Sequence, residues 1–346
     1  TKIYYMCGKS QEVAGRINPG DIAVTAKLQV TTTGDTLCTK DNQIILESIV
    51  FPKPVMIQAI KAKTKADEDK LTTSLARLVE EDPTLHSERN HETRQLLISG
   101  MGESHLDIVA SRLKRKFSVN VELQKPLISY RETIKSRATA EGKHKKQSGG
   151  RGQFGHVWLE LIPLPKDKHF EFVNKIVGGV VPKNYIPAVE KGVVNTMAEG
   201  FVAGYPITNV QVTIYDGSYH TVDSSDIAFQ LAARLAFRKG MEQANPILLE
   251  PIMNVEITVP SDYMGDVMGD LNSKRGRILG MEQAGKKNQI IKALVPHAEM
   301  LNYCIDLRSI TQGRGRFSMD FSHYEEVPAS LAEKVIEEAR KAKEES

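Results

Sequence analysis

Cysteine is scarce in this chain. Only Cys7, Cys38 and Cys304 occur in 346 residues, far apart and without ligand-like spacing, so a reduced, metal-free interior is expected. No apolar run approaches the length of a membrane span, and Thr1 opens no signal peptide, so a cytoplasmic location is expected. Charge of one sign is also lacking, since 46 Lys and Arg against 43 Asp and Glu leave a net +3. That is too little to imply a polyanionic partner by itself, and any such partner must be recognised by local clusters.

Catalytic motifs are missing too. Gly8-Lys9-Ser10 ends like a phosphate loop, but the first glycine of that pattern would fall on Ile3. Gly150-Arg-Gly-Gln-Phe-Gly155 spells a dinucleotide fingerprint. The apolar alternation after it predicts a strand over 153–162, where the fingerprint needs a helix. There is no H-E-x-x-H, no Cys-x-x-Cys pair and no nucleophile elbow. Nothing assigns a catalytic residue, a metal ligand or a cofactor site to this chain.

What is present is α+β patterning over a length that predicts two or three domains. Residues 1–48 hold short β-rich runs with turns at Asn18-Pro-Gly-Asp21 and Thr33-Gly-Asp35. They are too few to close a barrel, and read as the tail of one. From 49 to 125 the periodicities run strand 55–60, helix 66–82, strands 85–89 and 95–98, helix 104–117 and strand 119–123, the split βαβ order. The order returns over 250–327: strand 252–259, helix 263–273, strands 277–282 and 290–295, helix 297–310 and strand 316–321. Between them, 126–249 follows another plan, with strands at 128–134, 153–162 and 171–177 and a helix over 188–200. Residues 330–343 form a charged amphipathic helix that needs a docking surface. Glu250-Pro251 and Gln124-Lys-Pro126 read as inter-domain linkers.

Two features carry chemistry. The strand around Val210, Val212 and Ile214 passes through Asp216-Gly217 into a loop with Tyr219 and His220, then into a helix introduced by Asp223-Ser-Ser-Asp226. The stretch Lys143-His-Lys-Lys-Gln-Ser-Gly-Gly-Arg-Gly-Gln-Phe-Gly155 reads as a cationic, glycine-rich loop in which Phe154 offers a stacking surface. Taken alone, either could be an ordinary solvated turn. Lys274-Arg-Gly-Arg277, Lys286-Lys287 and Arg314-Gly-Arg316 repeat the basic, glycine-bearing pattern, which favours an extended RNA surface over a small-molecule pocket.

Nine motifs then carry a resemblance. Ala62-Lys-Thr-Lys-Ala-Asp67, Leu78-Val-Glu-Glu-Asp-Pro-Thr84, Ser99-Gly-Met-Gly-Glu-Ser-His-Leu-Asp107 and Gln147-Ser-Gly-Gly-Arg-Gly-Gln-Phe-Gly155 come first. Asp216-Gly-Ser-Tyr-His-Thr-Val-Asp-Ser-Ser225, Leu249-Glu-Pro-Ile252, Tyr263-Met-Gly-Asp266, Arg277-Ile-Leu-Gly-Met281 and Asp306-Leu-Arg-Ser-Ile-Thr-Gln-Gly-Arg-Gly315 follow. In this order they resemble bacterial elongation factor G over nearly the whole chain.

The resemblance implies the end of a domain II barrel (1–48), ferredoxin-like domains III (49–125) and V (250–327), and a domain IV (126–249 plus 328–346) similar to domain 2 of ribosomal protein S5. It implies a decoding-site tip made of Ser148, Gly149, Gly150, Arg151, Gly152, Gln153, Phe154, Ser218, Tyr219 and His220. Contacts to ribosomal RNA would come from Lys143, Lys145, Lys146, Arg275, Arg277, Arg314 and Arg316. The implied partners are the ribosome at its decoding region and factor-binding centre, tRNA and mRNA, with the factor acting as a monomer. GTP and magnesium are expected on an N-terminal domain that these 346 residues do not include. A ribosome-recycling paralogue and a GTPase-free ribosome-binding regulator are the alternatives. Two local departures from the family pattern are Ser104, in place of Leu and able to cap a helix, and one extra residue in 283–290.

Overall fold

The computed structural model describes residues 2–90, 92–147, 152–166 and 168–344, with side chains through residue 341. It divides into two compact units, one made of Thr1–Pro54, Ala62–Ser87 and Ile98–Glu122, the other of Val55–Lys61, Glu88–Leu97 and Leu123–Ser346. No closed barrel occurs among the described residues: β1 (Ile3–Cys7), β2 (Ser10–Ala14) and β3 (Val24–Thr25) form an open sheet in the order β2-β1-β3. Its turn is pinned by Tyr5, whose hydroxyl donates to the Asp21 carboxylate at 2.7 Å. Past it, Ile22, Val30, Ile45 and Val50 are each more than four-fifths exposed.

The next segment runs β4 (Met56–Ala62), α1 (Lys65–Glu81), β5 (His86–Arg89), β6 (Leu96–Gly100), α2 (Glu103–Phe117) and β7 (Val121–Gln124). The strands pair in the order β5-β6-β4-β7, the split βαβ arrangement. Thr64 caps α1 by accepting the Asp67 N–H and donating its hydroxyl to that carboxylate at 2.7 Å. Leu71, Leu75 and Leu78 then fall on its buried face. At the other end Asp82 turns extended ahead of Pro83, as the residue before proline must.

Helix α2 ends at Ser118, a left-handed residue whose N–H bonds to Lys114 O while Val119 N–H reaches Leu113 O. Its start is set by His105. Nδ1 of that ring accepts the Met101 N–H at 3.1 Å, which leaves Nε2–H to face the Asp82 carboxylate at 3.1 Å. Ser104 lies inside the first turn rather than capping it, because the cap position is Gly102 and no side chain bonds there.

The second unit is built mainly from two sheets. The first takes β9 (Ala138–Lys146), β10 (Gln153–Pro163), β11 (Phe170–Asn174) and β12 (Val210–Ser218) in the order β11-β12-β10-β9, with α3 (Ile186–Glu199) and α4 (Asp226–Gln243) stacked on one face. Strand β9 corrects the sequence reading. Lys143, Lys145 and Lys146 sit on a strand, not in a loop, with Lys145 opposite Phe154 and Lys143 opposite His156. The pattern was obscure because the inward positions are Ala138, Ala140 and Gly142. They are small since α4 lies against the backbone: a Cβ on Gly142 would meet Ala232 O at 2.0 Å.

The second sheet pairs β8 (Arg131–Ile134), β13 (Pro246–Pro260), β14 (Arg277–Ala284), β15 (Asn288–Pro296) and β16 (Arg316–Glu326), four of them in the order β14-β15-β13-β16, with β8 on the N-terminal end of β13. This is the split βαβ order again, with α5 (Met264–Ser273), α6 (His297–Met300) and α7 (Tyr303–Thr311) as its helices. The single helix expected over 297–310 is broken at Leu301-Asn302. Glu250-Pro251 is no linker: it lies inside β13, opposite Glu325 and Tyr324 of β16. The missing Pro251 N–H falls next to the irregularity at Ile252/Met253, where ladder bonds are already interrupted. Last, α8 (Ala329–Glu344) lays Leu331, Val335 and Ile336 on Tyr130, Val202, Ala203, Tyr205 and Leu248.

Buried charge ties these parts together. Glu132 on β8 is fully buried, and its two oxygens accept five consecutive backbone N–H groups, Phe201 to Tyr205, at 2.6–3.0 Å.

Candidate functional site

At one end of the first sheet, β9 stops at Lys146 and β10 starts at Gln153, beside the loop 219–225 that joins β12 to α4. Ser148, Gly149, Gly150 and Arg151 lie outside the described residues. The remaining tip residues are brought together. Phe154 N–H donates to Asp223 O at 2.9 Å, and the Ser224 hydroxyl returns a bond to Phe154 O at 3.0 Å. Gly152 N–H meets the Asp223 carboxylate at 3.0 Å. The Ser224 hydroxyl oxygen also accepts His220 N–H at 2.9 Å. Asp223, the last residue of the tip read from the sequence, and Ser224, which that reading left out, thus hold the two segments together; only its place beside a helix start hinted at Ser224. Ser225 is the N-cap of α4 and accepts Ala228 N–H.

His220 is more than half exposed in its side chain, and its ring stands 6.4 Å from that of Phe154. Nδ1 accepts the N–H groups of Val222 and Asp223 at 3.3 and 3.2 Å. Asp223 Oδ2 also stands 3.3 Å from Nδ1; in the neutral ring that keeps both N–H bonds the proton is on Nε2, which is then an N–H donor. Tyr219 is exposed beside it, and Ser218 holds His156 Nδ1 at 2.8 Å. Gln153 bonds His144 across the hairpin at 2.9 Å. Lys143, Lys145 and Lys146 are exposed and have no ion pair among the described residues. Gly155 serves packing rather than phosphate approach, because a Cβ there would lie 2.4 Å from Ala228 O.

The four arginines of the second sheet do not form one patch. Arg275 turns inward, giving Nη1 and Nη2 to the buried Glu250 carboxylate at 2.6 and 3.0 Å and Nε to Glu299 at 3.1 Å. These bonds hold its guanidinium above its ordinary value despite burial. Exposed Arg277 shares with it a cleft of about 300 Å³ that also admits Glu325 and Glu326. Arg314 lies over the Tyr263 ring at 4.7 Å and donates to its hydroxyl. Arg316, opposite Thr258, is four residues along β13 from Asn254, the row of Arg277. The β9 edge thus presents three exposed lysines without a carboxylate partner among the described residues, while Arg277, Arg314 and Arg316 stand apart on the second sheet.

A stapled two-loop tip, a basic strand edge and two split βαβ sheets define an α+β factor of the translation apparatus once the comparisons are added. Residues 51–125 match the family model for elongation factor G domain III, 126–245 that for domain IV and 247–335 that for the C-terminus. A solved structure described as the crystal structure of ttk003000868, from Thermus thermophilus, is 40% identical, with a TM-score of 0.84, over 98% of this chain. The chain spans 51% of that protein's length. It belongs to the elongation factor G family and carries that family's domains III, IV and C-terminal domain.

Proposed function

We propose that this chain is the ribosome-binding part of a factor that drives tRNA and mRNA through the small subunit, and that the tip at His220 enters the decoding site. The observation that supports this reading is the tip itself: a hydrogen-bonded platform presenting the His220 ring, an exposed tyrosine and the phenylalanine ring beside a basic strand. Such a platform can occupy space vacated by a moving tRNA and oppose its return, while its donors meet RNA acceptors. Lys143, Lys145 and Lys146 supply sequence-independent attraction to phosphates, and Arg277, Arg314 and Arg316 do so on the second sheet. Arg275 acts there through its fold, since its donors are spent on Glu250 and Glu299.

GTP and magnesium belong, in this reading, to a domain outside these residues. The factor works as a monomer in the cytoplasm. The test is His220→Ala in the complete factor, read as the single-turnover rate of tRNA movement on ribosomes. A slowing of roughly tenfold, about 1.4 kcal/mol, is expected with an unaltered unfolding midpoint. A rate within twofold of the parent rejects the tip assignment.

A further inference from the structure

Helices α3 and α4 cover one face of the four-stranded sheet, and the described elements leave the other face to its own side chains. That open face is not a generic polar surface. Along β10, Phe154, His156 and Trp158 recur at every second residue and so share a side. Lys145, Lys143 and Glu141 stand opposite them on the neighbouring strand β9. On the other central strand, β12, the register shifts between Trp158 and Leu159, and the extra residue is Tyr215. Its ring stands 6.4 Å from that of Trp158, with its hydroxyl directed toward Thr139 on β9. The rings thus lie on the two central strands, beside a strand edge rich in lysine.

Three acids of this face are engaged from within, Glu171 by accepting from Gln211 at 3.0 Å. Glu141 bonds His156 Nε2 at 2.8 Å, and Glu160 pairs with Arg137. Asp216 stands on β12, across β10 from the lysines. Lys143 and Lys145 keep their charges for an outside partner.

We propose that this face binds single-stranded RNA, with bases stacked on Phe154, Trp158 and Tyr215 and phosphates along Lys143 and Lys145. A four-stranded sheet with helices behind and aromatic side chains on its central strands is a general solution for holding two or three unstacked bases. Each stack contributes roughly a tenfold gain in affinity. Duplex RNA hides its base faces and fits this surface poorly. The track is continuous with the tip through Phe154, but it stands on this chain's geometry alone and can be tested without ribosomes.

Trp158 is the chain's only tryptophan, so its emission reports the site directly. The 346-residue chain is titrated with single-stranded octauridylate at low salt. Saturable quenching is expected, with an affinity about tenfold weaker for Tyr215→Ala, restored by Tyr215→Phe, and weaker again when Lys143 and Lys145 are both replaced by alanine. An octamer duplex should bind at least about tenfold more weakly than the single strand. Absence of saturable quenching, equal affinity for the duplex, or a Tyr215→Ala affinity within twofold of the parent would overturn the proposal. Tyr215 is exposed at the surface, and an unchanged unfolding midpoint for both Tyr215 variants separates loss of stacking from loss of fold.

Discussion

At the scale of single residues, the most consequential groups are those whose partners lie far away in sequence. Glu132 holds the 201–205 loop through five charge-assisted bonds. In Glu132→Gln an NH2 group replaces one accepting oxygen and faces donors, leaving buried N–H groups unpaired. A loss of about 3 kcal/mol is expected from urea unfolding. Gly155→Ala drives a methyl into the backbone of α4, since 2.4 Å to Ala228 O leaves no room, and should cost a similar amount, about 3 kcal/mol. Arg275→Ala strands the nearly inaccessible Glu250 carboxylate, with an expected loss of about 3 kcal/mol. The double variant with Glu250→Ala should recover much of it, because a broken buried pair costs more than an absent one.

At the scale of elements, α1 and α2 are joined by carboxylates. Asp67 caps α1 with Thr64 and accepts Asn120 N–H from beyond the end of α2 at 3.1 Å. The Thr64 hydroxyl first, and the Asn120 N–H after it, hold its carboxyl below the ordinary range. Burial opposes the same shift at Asp82, but Thr84 and the His105 ring outweigh it. Groups with lowered values in the fold add stability that is complete above the ordinary carboxylate range, about pH 4, and is lost as pH falls through their lowered values. The unfolding midpoint should therefore drop as pH falls below about 4, and Asp67→Asn together with Asp82→Asn should flatten that drop. An identical pH profile in the double variant would show that these bonds add nothing.

At the scale of the whole molecule, the net charge of +3 spread over 346 residues hides a local excess. Affinity for ribosomes should fall steeply with salt, because each phosphate neutralised releases counterions. Replacing Lys143, Lys145 and Lys146 by alanine in the complete factor should reduce the slope of log affinity against log salt by roughly three. A slope equal to the parent's would remove these lysines from the RNA contact.

How much of this was legible in the residue order depends on the range of the interactions involved. Helical periodicity identified α1, α2 and α5 almost to their ends, and the strand, helix, strand, strand, helix, strand order was readable twice. The Ser225 cap, the His220 loop and the false dinucleotide fingerprint were also local patterns. The motifs identified elongation factor G because short loops keep their residues contiguous.

Tertiary structure alone decided the rest. Strand β9 was hidden because α4 demands Gly142 and the alanines where a strand signal needs bulk. The turn of Arg275 away from solvent depended on Glu250, 25 residues earlier. The union of the tip loops rested on bonds across about 70 residues, and the aromatic track on a bulge that delivers Tyr215 beside Trp158. Local periodicity records which face of an element is buried; which charge is neutralised and which is left for a partner is set by contacts between elements, and those exist only once the chain has folded.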